Sequence, residues 1–386
     1  MAEEVGHSRE ATTPTRRGRA TWPALAACVA CLGPLAGCPT DSPEAPQGAR
    51  DTLASVVDKH CFDPALPWAL AHGILVRGRD ARLANGDEAV QRLVVDNLPA
   101  GELVFPRNRG PVPVDAHPGL ILKTLLEVGV PPERAFATQD GRQVLFSALV
   151  AAGRSAATAG AGLPLHNEAW QLEVHGTSAD PALKAQALEV LVQNQLYFEA
   201  YAADPTKAPR YRKAVAKKGS RKPGAIHRYY CGGLHLFQAV QRLYGDELPS
   251  ALARQYELLL LRLRLESTYW ERALAQVEAQ SPGNAAQQRR VILSQRLKLQ
   301  GHALETYLRA VRTGVIDPTP ETRSELNQGF TRLQGTVLAL RDCGVWAELP
   351  LLAKASPQLY RDLVGDAAHA LHAFTLADGV EGVTPQ

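Results

Sequence analysis

Beyond its first forty residues the sequence has no long uninterrupted apolar run, and Met1 is the sole methionine. Cysteine is scarce where a secreted framework would need it. Of six cysteines, Cys28 and Cys31 lie in the apolar N-terminal run and Cys38 ends it, so the rest of the chain holds only Cys61, Cys231 and Cys343. Three thiols form at most one bridge, which excludes a disulfide scaffold, and no Cys-x-x-Cys pair in the body suggests a zinc knuckle or redox motif. Charge of one sign is also missing: the formal balance is +3, and without residues 1–37 (four Arg, three Glu) 38 basic and 36 acidic residues remain. Nothing global points to a nucleic-acid partner, and none is expected. There is no glycine-rich phosphate loop, no nucleophile-elbow pattern around Ser or Cys, and no H-E-x-x-H.

What is present begins with a leader. Arg16, Arg17 and Arg19 precede Ala20–Leu35, an uncharged stretch of signal-peptide length, and small residues follow in Leu35-Ala36-Gly37-Cys38. A cationic front held at the cytoplasmic face, with an apolar segment behind it, is the layout of a secretory signal. Leu-Ala-Gly-Cys resembles the bacterial lipobox, whose cysteine is acylated and becomes the new N-terminus. As a membrane span the run is short of the roughly 20 residues required, and it carries Pro23 and Pro34. Arg16-Arg17 lacks the apolar residues expected after a twin-arginine pair, which favours the general secretory route. The front is long and Met1 is its only methionine, which leaves the initiation codon open. The expectation is a precursor with signal peptide 1–37, lipidation at Cys38, a Pro/Ser/Gly-rich tether to residue 50, a single folded domain over 51–378 and a tail over 379–386. It places the protein in the bacterial cell envelope, lipid-anchored to the outer membrane or the periplasmic face of the inner one.

Within the body, apolar residues recur at three and four, as in Leu188-Leu191-Val192 and Leu258 to Leu265, with Gly and Pro between the runs. At least nine helices are expected. Strand pieces such as Ala81–Leu83 and Val112–Val114 are too brief for a sheet core. Residues 68–93 and 120–149 share an order: an apolar helix, a glycine stop, a linker, Asn85-Gly86 or Asp140-Gly141, and a second helix. Such units bury their faces against neighbours, so the class is all-α, repeated helical hairpins forming an α/α toroid or an open helical solenoid. Lys207 to Arg228 carries nine basic residues and no acidic one, which suits either a solvated loop at about 205–228 or contact with anionic lipid or glycan.

Histidines carry the chemical interest. His302/Glu305, His369/His372 and the series His227/Cys231/His235 each place donors three or four residues apart, on one face if helical. That spacing suits an acid–base pair or a metal. A neutral imidazole equally satisfies a backbone carbonyl, and His117-Pro118 reads as a helix start with Pro at its first position. The candidates for chemistry are His235, His302, Glu305 and His372. Those for lining a ligand site are His72, His117, Trp170, His227, Cys231 and His369. No cofactor is required by these residues, with a divalent metal such as zinc as the open alternative.

His117-Pro118, Leu125–Pro131, Asp140-Gly141-Arg142, Trp170, Cys231-Gly232-Gly233-Leu234-His235, Gly301-His302-Ala303-Leu304-Glu305 and His369-Ala370-Leu371-His372 resemble, in the same order over about residues 60–375, a group of secreted bacterial proteins. That group is similar to the α/α toroids of terpenoid cyclases and prenyltransferase β subunits. The resemblance implies inner helices that begin at glycine turns and bring His72, His117, His235, His302 and His372 to one lumen. The Asp-x-Asp-Asp acid of the cyclases and the Asp/Cys/His zinc set of the prenyltransferases are both missing here, so neither activity carries over. The functional expectation is an envelope lipoprotein binding a ligand or partner on a His-lined concave face, or alternatively a His/Glu lyase or hydrolase of an envelope polymer.

Overall fold

The computed structural model describes residues 48–115, 117–158, 173–174, 180–203, 230–279 and 282–385. Cys38, Trp170, His227 and the basic stretch 205–228 lie outside them. Among the described residues the protein is helical: α1 (Ala49–His60), α2 (Pro67–Arg77), α3 (Ala89–Val95), α4 (Leu120–Glu127), α5 (Phe146–Thr158), α6 (Pro181–Ala203), a 3-10 turn (Tyr230–Gly233), α7 (Leu234–Tyr244), α8 (Ser250–Glu278), α9 (Pro282–Arg312), α10 (Pro320–Asp342), α11 (Leu349–Ala355) and α12 (Pro357–Ala377). The strands are two antiparallel pairs, β1 (Asn108–Arg109) with β2 (Val112–Pro113) and β3 (Ala135–Ala137) with β4 (Gln143–Leu145). At two or three residues each they are the tips of turns, and the class is all-α as the apolar spacing predicts.

The two related segments take the same form. Each first helix, α2 or α4, stops just before a glycine in left-handed backbone, Gly78 (φ 83°) or Gly129 (φ 71°), where a side chain would be strained. A tight turn follows at Asn85-Gly86, closed by the Arg82–Glu88 bridge, or at Asp140-Gly141 between β3 and β4. The second helix, α3 or α5, then returns. The units join through Arg134 to Glu88 at 2.5 Å, through Arg79 Nη1 donating to the Gly129 carbonyl at 2.9 Å, and through contact between α3 and β3. The start of α4 differs from expectation. The helix after His117-Pro118 begins at Leu120, because left-handed Gly119 intervenes and the Asp115 carboxylate accepts from Gly119 N (2.7 Å) and Ile121 N (3.1 Å).

The long C-terminal helices form the centre. α9 packs along α12 and is flanked by α8, α10 and α7, while α12 also meets α1, α2 and α11. Alanines 367, 368, 370 and 373 make the buried part of α12 thin. At Gly301, halfway along α9, an added Cβ would sit 3.1 Å from the Cα, Cβ and N of Ala370, so the helices approach to backbone contact there. At Gly365 the same addition would meet the Trp68 ring at 2.9 Å, which brings α2 onto α12. First and last helices are tied by Arg50 to Asp378 at 2.6 Å.

This close approach predicts opposite outcomes for the same chemical change. Gly301→Ala forces overpacking and should cost about 1–3 kcal/mol in urea unfolding. Gly335→Ala, on the exposed face of α10 with open space around it, should gain about 0.5–1 kcal/mol from helix propensity. Equal responses at the two positions would contradict the packing described.

Candidate functional site

On α9, Lys298, His302, Glu305 and Arg309 follow one another at spacings of four, three and four, which places them in one row along the helix. On α12, Asp362, Asp366 and His369 repeat the pattern, with His372 three residues on. Because the two helices touch at Gly301 and Ala370, these rows face each other across a narrow seam. α2 contributes Trp68 and His72, α4 contributes Lys123 and Glu127, and α7 contributes His235 and Gln238 just after the Cys231 turn.

Glu305 is the hub. Its carboxylate accepts from His369 Nδ1 through Oε2 and from His372 Nδ1 through Oε1, both at 2.8 Å, and from Gln238 Nε2 at 3.2 Å. An ionised carboxylate only accepts, so both imidazoles present Nδ1–H to it, which leaves the lone pair of the neutral His369 ring on Nε2. His72 is fixed the same way, since its Nδ1 lies 2.7 Å from the Trp68 carbonyl. His302 is held through the other nitrogen: Nε2 lies 3.3 Å from Asp366 Oδ1, and Nδ1 is 3.9 Å from Glu305 Oε2. The rings touch one another. Centroids are 3.9 Å apart for His302–His369, 4.9 Å for His235–His302, and 5.2 Å for both His235–His369 and His72–His369.

An ionic cluster closes each end of the row. Toward one end Lys298 Nζ meets Asp362 at 3.4 Å and Asp366 at 3.8 Å. Toward the other, Arg309 meets Glu127 at 3.3 Å and Glu173 at 3.4 Å, and donates to Gln238 Oε1 at 2.6 Å, while Lys123 pairs with Glu127 at 2.9 Å. Gln238 therefore links the Arg309 cluster to Glu305 directly. Opposite charges stand in contact throughout, as buried charges require.

Burial sets the protonation of the rings. Removal from water pushes His72 down to about 3 and drives His235 and His369 well below the ordinary imidazole value, so these rings are neutral. Burial would raise the Glu305 carboxyl, but the N–H groups that His369 and His372 direct at it hold it well below the usual carboxylate range. Glu127, also buried, is brought down to about 2 by Arg309 and Lys123. His302 runs the other way from its neighbours. Burial opposes its charge, but Cys231 and Asp366 outweigh that and lift it to about 10.

The structure thus brings together His72, Cys231, His235, His302, Glu305, His369 and His372. His117 is half-buried at the Lys298–Asp362 end, and burial lowers its ring to about 4. Trp170 and His227 are outside the described residues. Cys231 belongs to the 3-10 turn ahead of α7 and not to the helix itself, with left-handed Gly233 between the thiol and His235. The histidines lie in an interior seam and not on an open concave surface. Sequence reasoning missed Lys298, Asp366, Arg309, Gln238, Glu127, Lys123 and Glu173. The available signal was the four–three–four row of Lys298, His302, Glu305 and Arg309, flanked along α9 by Leu297, Leu299, Ala303, Leu304 and Leu308.

Comparison with known protein families, with curated proteins and with solved structures finds no match for this chain.

Glu305→Ala would leave two imidazole N–H groups and an amide without their acceptor in a dry interior. It should cost about 3–5 kcal/mol in urea unfolding, as breaking a buried charged network does. A loss below about 1 kcal/mol would mean that Glu305 does not organise the seam.

Proposed function

We propose that this chain is a lipid-anchored protein of the bacterial envelope whose folded body binds a small polar ligand or ion inside the Glu305–histidine centre. The observation that carries the reading is convergence: imidazoles from α2, α7, α9 and α12, separated by up to three hundred residues of sequence, meet around one carboxylate. A merely structural histidine needs one hydrogen-bond partner. Four rings in a connected cluster, with His372 joined to them through Glu305, concentrate lone pairs and N–H groups beyond what packing requires, at a cost in desolvation that a bound ligand would offset.

Accessibility separates this from action on a polymer. His302, Glu305, His235 and His369 are 1%, 0%, 3% and 2% exposed, so a glycan or peptide strand has no way to lie against them in this conformation. A small ligand or an ion fits that enclosure far better than a polymer-cleaving lyase or hydrolase does. The ring arrangement implied by the toroid resemblance is supported by α1, which packs on both α10 and α12 and so brings the first helix to the last.

For the anchor, support comes from the Leu35-Ala36-Gly37-Cys38 motif and its cationic, apolar lead. No helix among the described residues is long and apolar enough to cross a membrane. Two or more acyl chains at Cys38 would hold the protein stably, since each buried methylene contributes about 0.8 kcal/mol. The basic stretch Lys207–Arg228 would add attraction to anionic lipid, about 1 kcal/mol per side chain near the surface.

Both halves are testable on the full chain expressed in a bacterial host. Cys38→Ala should move the protein from the membrane to the soluble fraction. Native mass spectrometry of the detergent-extracted wild type should show mass above that of the lipidated polypeptide, lost on denaturation and lost in His302→Ala/His369→Ala. A native mass equal to the polypeptide would contradict ligand binding, and membrane retention of Cys38→Ala would contradict the anchor.

A further inference from the structure

The geometry points to a divalent transition-metal site made by Cys231 Sγ, a ring nitrogen of His235 and His302 Nδ1, with zinc as the ion whose chemistry fits best. The inference rests on the ligand-binding reading above and names the ligand. Cys231 Sγ and one ring nitrogen from each histidine lie within 4.8 Å of one another, and Nδ1 is the His302 nitrogen that Asp366 leaves open. Around a tetrahedral zinc the same atoms would stand about 3.5 Å apart, given bonds of about 2.3 Å to sulfur and 2.0 Å to nitrogen. Small side-chain rotations close that gap.

Two further observations favour this set. His302 is arranged as a metal ligand: its Nε2–H is taken up by Asp366, itself beside Lys298, while Nδ1 is buried with no hydrogen-bond partner. A carboxylate on the outer nitrogen orients the ring and makes the inner nitrogen a better donor. Cys231, for its part, is the one non-glycine residue with positive φ among the described residues, at 50°. A β-carbon in that region is strained, and such conformations persist where surrounding contacts impose them, often at ligand clamps. Left-handed Gly233 follows (φ 77°), and α7 then carries His235 back to the thiol. By contrast Cys61 is enclosed in the apolar core beneath α1 and α2.

Two other groups are as close, His302/Glu305/His369 and Glu127/Glu305/His372. In both, the imidazole already donates to Glu305 at 2.8 Å, so an ion there would have to break bonds that the Cys231 set leaves intact. Glu305 with its two imidazoles is then the polar wall beside the ion. One thiolate and two imidazoles select zinc, cobalt or copper over magnesium or calcium, which prefer oxygen. Ligation requires thiolate sulfur and neutral imidazole nitrogen, so binding releases protons to solvent and strengthens as pH rises. Three protein ligands leave a fourth position for water or a small molecule.

The test is cobalt(II) titration of the full-length, detergent-extracted protein after chelator treatment, with metal analysis of the zinc-supplemented preparation. One ion per chain is expected, with visible bands of tetrahedral cobalt and a near-ultraviolet sulfur-to-cobalt charge-transfer band. Cys231→Ser should lose the charge-transfer band, and Cys343→Ser should keep it. Asp366→Asn should weaken cobalt binding about 10- to 100-fold with circular dichroism unchanged. No metal after supplementation, or a charge-transfer band that survives Cys231→Ser, would overturn the site. A native mass excess without metal would reject the metal while leaving the binding reading in place. Rapid alkylation of Cys231 in zinc-saturated protein would likewise count against ligation, and would point to a free thiol activated by His302.

Discussion

A single carboxylate, Glu305, sits where water does not reach, and the arrangement of the interior follows from meeting its charge. Three donors converge on it, from α12 twice and from α7 once, so one side chain on α9 joins three helices. Its demand for N–H donors fixes which nitrogen of His369 and His372 carries hydrogen, and so where the lone pair of the neutral His369 ring remains. The neighbouring rings follow, because His369 stacks on His302 and meets His72 and His235. Charge at either end of the row is closed off by Lys298 and Arg309 with their carboxylates, so the centre is polar without being open to solvent.

That centre exists only because α9 and α12 come close enough for short side chains to meet. Gly301 against Ala370 sets the approach, and the alanine-rich face of α12 keeps it along the helix. Bulk at either point would separate Glu305 from His369 and His372 while leaving every helix intact. Gly365 performs the same service for Trp68, whose carbonyl then fixes His72. The packing of small residues and the placement of polar ones are thus one design, and neither has a purpose without the other. Buried networks of this kind contribute little net stability compared with an apolar core, and this is the ground on which we propose a binding role for the centre.

Much of the architecture was legible because local chemistry determines it. Asn85-Gly86 and Asp140-Gly141 are turn formers, Gly78 and Gly129 end helices, and the duplicated order of helix, turn and helix reads directly from them. The start of α4 did not, since left-handed Gly119 displaces it by two residues and the capping carboxylate, Asp115, lies upstream of the proline. In the centre, the pairs His302/Glu305 and His369/His372 were visible by their spacing. That they meet each other, and His72 and His235 as well, is a tertiary fact carried by the Gly301–Ala370 contact. Lys298, Asp366 and Arg309 escaped notice for the same reason, because charges at helical spacing ordinarily mark a solvated face. Cys231 stood out for its glycines but not for its backbone, whose φ no spacing rule supplies.

The account turns on Glu305 setting the tautomers around it, and nitrogen-15 NMR of the imidazole side chains observes this directly. At neutral pH, His72 and His369 should each carry hydrogen on Nδ1 with a non-protonated Nε2, His372 should carry hydrogen on Nδ1 toward Glu305, and His302 should carry it on both nitrogens. Finding His369 and His372 in the opposite, Nε2–H form would mean that Glu305 does not organise the centre.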